Sequence, residues 1–169
     1  MKTSSKDYTI LHSTEYVDVA GIKGIPAKID TGADTSAIWA SDIKMESNGL
    51  LSFVLLNKNI PLYSGERITT DHYTAKSIRS SHGDKQIRYQ VKLDITLKGQ
   101  SFKTTFTLAN RSNNHFPVLI GRRTIKNRFL VDVSKSSIER PKASTTAQLN
   151  QELKTNPMKF HQKYIERSK

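Results

Sequence analysis

Two alternating stretches constrain the fold of this chain more than any other feature. Val91, Leu93, Ile95 and Leu97 alternate with Lys92, Asp94, Thr96 and Lys98, the period-2 pattern of a strand with one face in a core. After a Lys98-Gly99 turn, Phe102, Thr104, Phe106 and Leu108 share one face of a further strand over residues 101–109. Residues 73–80, the turn Ser81-His82-Gly83-Asp84 and residues 85–97 read as one long hairpin. Shorter β-prone runs lie at 8–11, 15–19, 25–29, 36–40 and 50–56, with a turn from Gly21 to Gly24. A polar stretch, 57–71, carries the breakers Pro61 and Gly65. Phe116 to Ile120 is a short buried run, Arg122 to Asn127 suits a helical turn, and Phe129-Leu130-Val131 returns to strand. The expectation is an all-β domain over residues 1–134 with one short helix.

Beyond Ser134 the texture changes to a polar, basic extension, 135–169. A linker around Pro141 precedes a stretch, 147–154, that suits a helix, and Met158, Phe160, Tyr164 and Ile165 form a thin apolar stripe. Such a tail is free to dock on its own domain or a partner, or to stay mobile.

Composition removes several function classes. With 36% hydrophobic and 25% charged residues the chain is a globular one. It has no cysteine, which excludes disulfides and thiolate zinc sites. No apolar run nears the roughly 20 residues a bilayer span needs, and the polar N-terminus has no signal-peptide core. The expectation is a soluble, cytoplasmic protein with no membrane partner. The net charge of +12 favours acidic partners. It is spread along the chain without a dense block, so solvation or steering of acidic substrates is preferred over a nucleic-acid role. Tyr63, Tyr73 and Tyr89 are available for base stacking, but no nucleic-acid-binding signature accompanies them.

The chemistry concentrates at Ala27-Lys28-Ile29-Asp30-Thr31-Gly32-Ala33. A short strand delivers Asp30 into a tight loop in which Gly32 and the small Ala33 permit close backbone approach, and the Thr31 hydroxyl can lock the loop. Pro117-Val118-Leu119-Ile120-Gly121-Arg122 is an apolar strand ending in Gly-Arg. An aspartate in such a turn can also serve only to accept local backbone N–H bonds.

The Asp-Thr-Gly-Ala loop followed by an apolar Gly-Arg segment resembles the retropepsin family of aspartic peptidases. In order along the chain, Thr35-Ser36-Ala37, Ile78-Arg79-Ser80-Ser81, Arg88-Tyr89-Gln90-Val91, residues 106–111, Val118 to Arg123 and Arg128 to Asp132 tighten the match. Together they resemble a bacterial retropepsin-like group labelled "ATP-dependent zinc proteases" and associated with ATP-grasp ligases that add glutamate tails. The resemblance spans roughly residues 16–134. It implies a closed acid-protease barrel with Asp30 as the catalytic aspartate, supported by Thr31 and Gly32. It also implies a flap carrying Ser81, His82 and Gly83 over the substrate, Ala33 lining the cleft, and Gly121 and Arg122 bracing the loop through Asp34.

Aspartic-peptidase chemistry needs two carboxylates sharing one proton, and the chain has one Asp-Thr-Gly. Asp42, Asp94 and Asp132 lack the strand-loop-glycine setting. The second Asp30 is therefore expected from an identical subunit across a two-fold axis, in a homodimer acting on a peptide or protein substrate. Arg79 and Arg88, on the two arms of the hairpin, either fork onto substrate carboxylates or face solvent and protect an edge. The alternative to an enzyme is a retropepsin-fold module that binds acidic peptides or a partner ligase.

The remaining motifs are weaker. His12, His72, His82, His115 and His161 have no paired-ligand spacing, so no metal is expected. There is no phosphate-binding glycine loop, so no cofactor is expected either, and any ATP would belong to a partner ligase. His82 is a substrate contact or a plain turn residue, and Trp39 is core or pocket lining.

Overall fold

In the computed structural model, which describes residues 7–79, 85–139 and 144–166, the alternating run becomes the longest strand of a closed barrel. In chain order the strands are β1 (Thr9–His12), β2 (Thr14–Val19), β3 (Ile22–Ile29), β4 (Ser36–Met45), β5 (Leu51–Leu55), β6 (Arg67–Thr70), β7 (Tyr73–Arg79), β8 (Lys85–Leu97), β9 (Gln100–Ala109), β10 (Val118–Ile120) and β11 (Phe129–Asp132). A single turn of helix, α1 (Arg122–Ile125), separates the last two. Strands β10, β3, β2, β8, β9 and β4 are hydrogen-bonded in that order, and β10 pairs with β4 to close the ring.

The alternation decides which side chains fill it. Val17 and Val19 from β2, Ile25 and Ala27 from β3, Val91, Leu93, Ile95 and Leu97 from β8, Phe106 and Leu108 from β9, and Val118 and Ile120 from β10 all point inward and are buried. Two tight turns fix the register. Lys98-Gly99 joins β8 to β9 and Ala20-Gly21 joins β2 to β3, each with both residues at positive φ, the mirror-image turn geometry that matches strand twist. The second turn is tighter than the Gly21-to-Gly24 stretch expected from sequence. Gly24 instead lies inside β3, at φ +66°, where the pairing with β2 slips between Val17 and Val19. Asp18 holds that bulge, accepting from Gly24 N at 2.8 Å and Lys23 Nζ at 3.0 Å.

Outside the ring, β5 and β6 extend β4, and among the described residues β7 pairs only with β8. The polar stretch after Leu56 thus contains a strand that its sequence did not announce. β6 is recruited by backbone pairing to the fully buried β5, and Arg67 is tied to Asp42 and Ser52. β1 and β11 form a separate parallel pair. After β11 the chain runs back along β2: Ser13 N donates to Lys135 O, Ser137 N to Thr14 O, and buried Glu15 accepts from Ser137 Oγ and pairs with Lys98.

The chain forms two compact units, Met1–Ile138 and Glu139–Lys169. The second contains α2 (Ser144–Thr155) and α3 (Pro157–Tyr164). Asn156 caps α3 by accepting from Lys159 N, with Pro157 in the first turn. Glu152 of α2 accepts from Lys163 and Tyr164 of α3. No helix among the described residues is long and apolar enough to cross a membrane.

Candidate active site

The Asp30 loop is built where two remote strands meet. β10 runs parallel to β3, and where β3 ends Asp30 N donates to Ile120 O at 2.9 Å. The chain then turns so sharply that Asp30 Oδ1 accepts from Gly32 N at 3.0 Å and Ala33 N at 3.1 Å. Oδ2 takes no bond from the described residues. One oxygen is fixed by the backbone, and the other is unbonded among the described residues.

Support comes from below. Arg122 N donates to Ala33 O at 2.8 Å and Arg123 N to Asp34 O at 3.1 Å, so the first amides of α1 satisfy carbonyls of the loop. Gly121 makes this approach possible: a Cβ there would lie 2.6 Å from Thr35 C and 2.8 Å from Thr35 O. Gly121 N also donates to Ser36 Oγ, which bonds Thr124 Oγ1, which in turn bonds Thr104 Oγ1. Ser36 and Thr124 are fully buried, so each hydroxyl must find a partner, and together they lock β4, α1 and β9 beneath the loop.

Arg122 was expected to brace the loop through Asp34, and the contact it makes with the loop is to Ala33 O. Arg122 acts through its backbone, and its exposed side chain borders an open recess with Thr31 and Lys126. Arg123 Nε makes the ion pair with Asp34 Oδ2, at 3.0 Å, because one step along a helix turns the side chain by about 100°. A second cation reaches the same carboxylate from β7: Lys76 Nζ lies 3.2 Å from Asp34 Oδ2 and 2.6 Å from Thr35 Oγ1. The Lys76 hydrogen bond, and then the charges of Arg123 and Lys76, hold the Asp34 pKa below its ordinary value against the opposing effect of burial. Because the folded-state pKa is the lower one, this contribution is present above the unfolded carboxylate pKa and vanishes as pH falls through the folded one. Urea denaturation across an acid series should therefore find Asp34→Asn less stable than the wild type at pH 6. The gap should close as pH drops below the usual carboxylate range.

The β7–β8 register sorts the two expected arginines. Arg88 stands directly opposite Lys76, and Arg79 opposite Lys85. Directly paired residues share a face and successive residues alternate, so Arg79 is on the opposite face from Arg88. Arg79 is exposed, and Arg88 is half-buried with Nε on Gln86 Oε1. The two do not form one fork. Arg88 has a different companion, Arg111, which is only 9% exposed and donates from Nε to Phe116 O at 2.9 Å. Burial lowers the pKa of both guanidinium groups. Arg88 lowers that of Arg111 further, while the negative charge of Asp30 raises it. Arg111 is therefore an electrostatic neighbour of both Asp30 and Arg88. Ser81, His82 and Gly83 lie outside the described residues. Trp39 packs against the core while bordering a recess with Asn57, Asn59 and Asn110. Among the described residues no three His, Asp or Glu side chains gather as a metal ion would require.

Sequence reasoning missed Lys76 and Arg123, and the placement of Arg111 beside Asp30. All three depend on register and long-range packing, although the basic residue directly after Gly121-Arg122 was a visible signal.

The profile of a family described as RimB-like, "Retropepsin-like aspartic endopeptidase RimB", matches residues 10–142. A probable alpha-L-glutamate ligase of Shewanella pealeana is 32% identical over 123 residues, covering 69% of this chain and 26% of that protein. A protein of the same name from Desulfotalea psychrophila is 27% identical over 115 residues, covering 66% and 25%. The chain thus spans about a quarter of the length of these curated relatives. A crystal structure of a Legionella pneumophila protein of unknown function has the same fold, with a TM-score of 0.59 and 23% identity over 77% of this chain and 97% of that one.

Proposed function

Because this chain belongs to the RimB-like family of retropepsin-like aspartic endopeptidases, we propose that it is an aspartic-type amide hydrolase working as a homodimer. Each subunit supplies one Asp30, and the two carboxylates share a proton, one form drawing a proton from water while the other protonates the departing amine. The observation that carries this reading is the Asp30 carboxylate itself, with Oδ1 pinned by Gly32 and Ala33 and Oδ2 left open. The other aspartates considered as partners are occupied: Asp42 by Lys44 and Arg67, Asp94 by Lys103, and Asp132 by Ser134 and Lys135.

The bond attacked is a peptide or isopeptide bond in an acidic, Glu-rich segment. Arg88 and Arg111 support this: Arg111 feels the charges of both Arg88 and Asp30, and among the described residues Arg88 bonds only Gln86. A substrate carboxylate would relieve that repulsion. Thr31, Gly32 and Ala33 form the loop wall of the cleft, and the residues from Ser81 to Gly83 act as its flap. Arg79, on the other face, would meet only more distant parts of a substrate.

Mixing wild-type and Asp30→Asn chains in equal amounts, with subunit exchange, tests the shared site. Activity should fall to roughly a quarter of that of the same total of wild type, since only dimers with two intact halves work. A fall to one half would mean that each chain is complete alone.

A second reading follows from the relatives, named probable alpha-L-glutamate ligases and matched over about a quarter of their length. Here the domain binds the acidic product of a partner ligase of the ATP-grasp kind without cleaving it. Peptide binding that survives Asp30→Asn, with no turnover by either form, selects this reading.

A further inference from the structure

We propose that Lys76 is a positioning residue that couples the β7–β8 hairpin to the Asp30 loop. It would hold the substrate-facing side of the hairpin in place through Asp34 and Thr35; the role in catalysis rests on the peptidase reading above. Among the described residues Lys76 lies in a strand that pairs only with β8, so no second strand there fixes where its other edge goes. Its ammonium nonetheless crosses to the loop, donating to Thr35 Oγ1 at 2.6 Å and Asp34 Oδ2 at 3.2 Å.

A lone exposed ion pair would contribute little. This one differs in three respects. The Lys76 side chain is 29% exposed, the ammonium is held at two points, and Asp34 Oδ2 is also held by Arg123 Nε. Asp34 thereby joins three segments: the loop that carries Asp30, the helix beneath it and the hairpin strand.

The link also explains a pairing that is otherwise unfavourable. Lys76 and Arg88 are directly opposite on one face, an arrangement that destabilises a sheet when both charges are unanswered. Asp34 answers Lys76. No acidic side chain among the described residues answers Arg88, which is left to meet a substrate. One cation of the pair fastens the hairpin and the other reads the ligand.

The experiment uses the full chain and a Glu-containing peptide that the wild type cleaves. Lys76→Met should raise KM about tenfold with kcat within about twofold, since a positioning loss falls on binding before chemistry. Lys76→Arg, which keeps the charge and reach, should recover most of that KM. In parallel, amides of β7 should exchange with deuterium about fivefold faster in Lys76→Met and return toward wild type in Lys76→Arg. Unchanged KM, or a loss that Arg does not recover, overturns the catalytic role. The exchange measurement needs no turnover: unchanged β7 exchange in Lys76→Met overturns the link even if the protein proves to bind without cleaving.

Discussion

If Asp30 works as the proposed shared pair, Asp30→Asn lowers kcat by about 10⁴-fold, at the upper end of what one general acid–base group supplies, because such a dimer loses both carboxylates at once. The substitution is close to isosteric. An amide oxygen can still accept from Gly32 N and Ala33 N, so the loop keeps the two bonds that shape it. What disappears is the proton that the pair must hold and pass. The melting temperature should move little, and circular dichroism should be unchanged. Turnover of a Glu-rich peptide, followed by mass spectrometry of the products, is the measurement. Full activity in the variant would remove Asp30 from the mechanism.

Gly121→Ala should be the most destabilising single methyl addition near the site, by about 3 kcal/mol or more, at or beyond the usual range for overpacking. The new Cβ would meet backbone on the facing segment: Thr35 C at 2.6 Å, Thr35 O at 2.8 Å and Ala33 O at 3.0 Å. Backbone cannot rotate away as a side chain can. Relief requires α1 and the Asp30 loop to separate, which breaks the Arg122 N to Ala33 O bond and the Gly121 N to Ser36 Oγ bond. Equilibrium urea unfolding reads the loss, and a midpoint within error of wild type would mean that the two segments are not in contact.

The contrast between those two residues indicates what a sequence can carry. The Asp30 loop and its contact with Gly121 were legible because both sit in short motifs, an aspartate before Thr-Gly and a glycine closing an apolar strand. The barrel was legible for a related reason: β8 writes its buried face directly into alternate residues. β6 was not, because a strand held by backbone pairing and Arg67 leaves no apolar alternation to read. Lys76 looked like any solvent-facing lysine, since its partner lies 42 residues away and only the folded register brings them together. The Gly-Arg motif pointed to Arg122 as a support of the loop, but not to Arg123, one residue on, which makes the ion pair with Asp34.

The meeting of β3 with β10 has a consequence for synthesis. Asp30 leaves the ribosome about ninety residues before Ile120, Gly121 and Arg123, which give its loop their support. Contacts so distant in sequence form late, after the intervening chain is available. A nascent or truncated product that stops before β10 carries the aspartate and its Thr-Gly, but lacks the strand, the amides and the ion pair that hold the loop. The geometry of the Asp30 loop thus waits until the barrel can close around it.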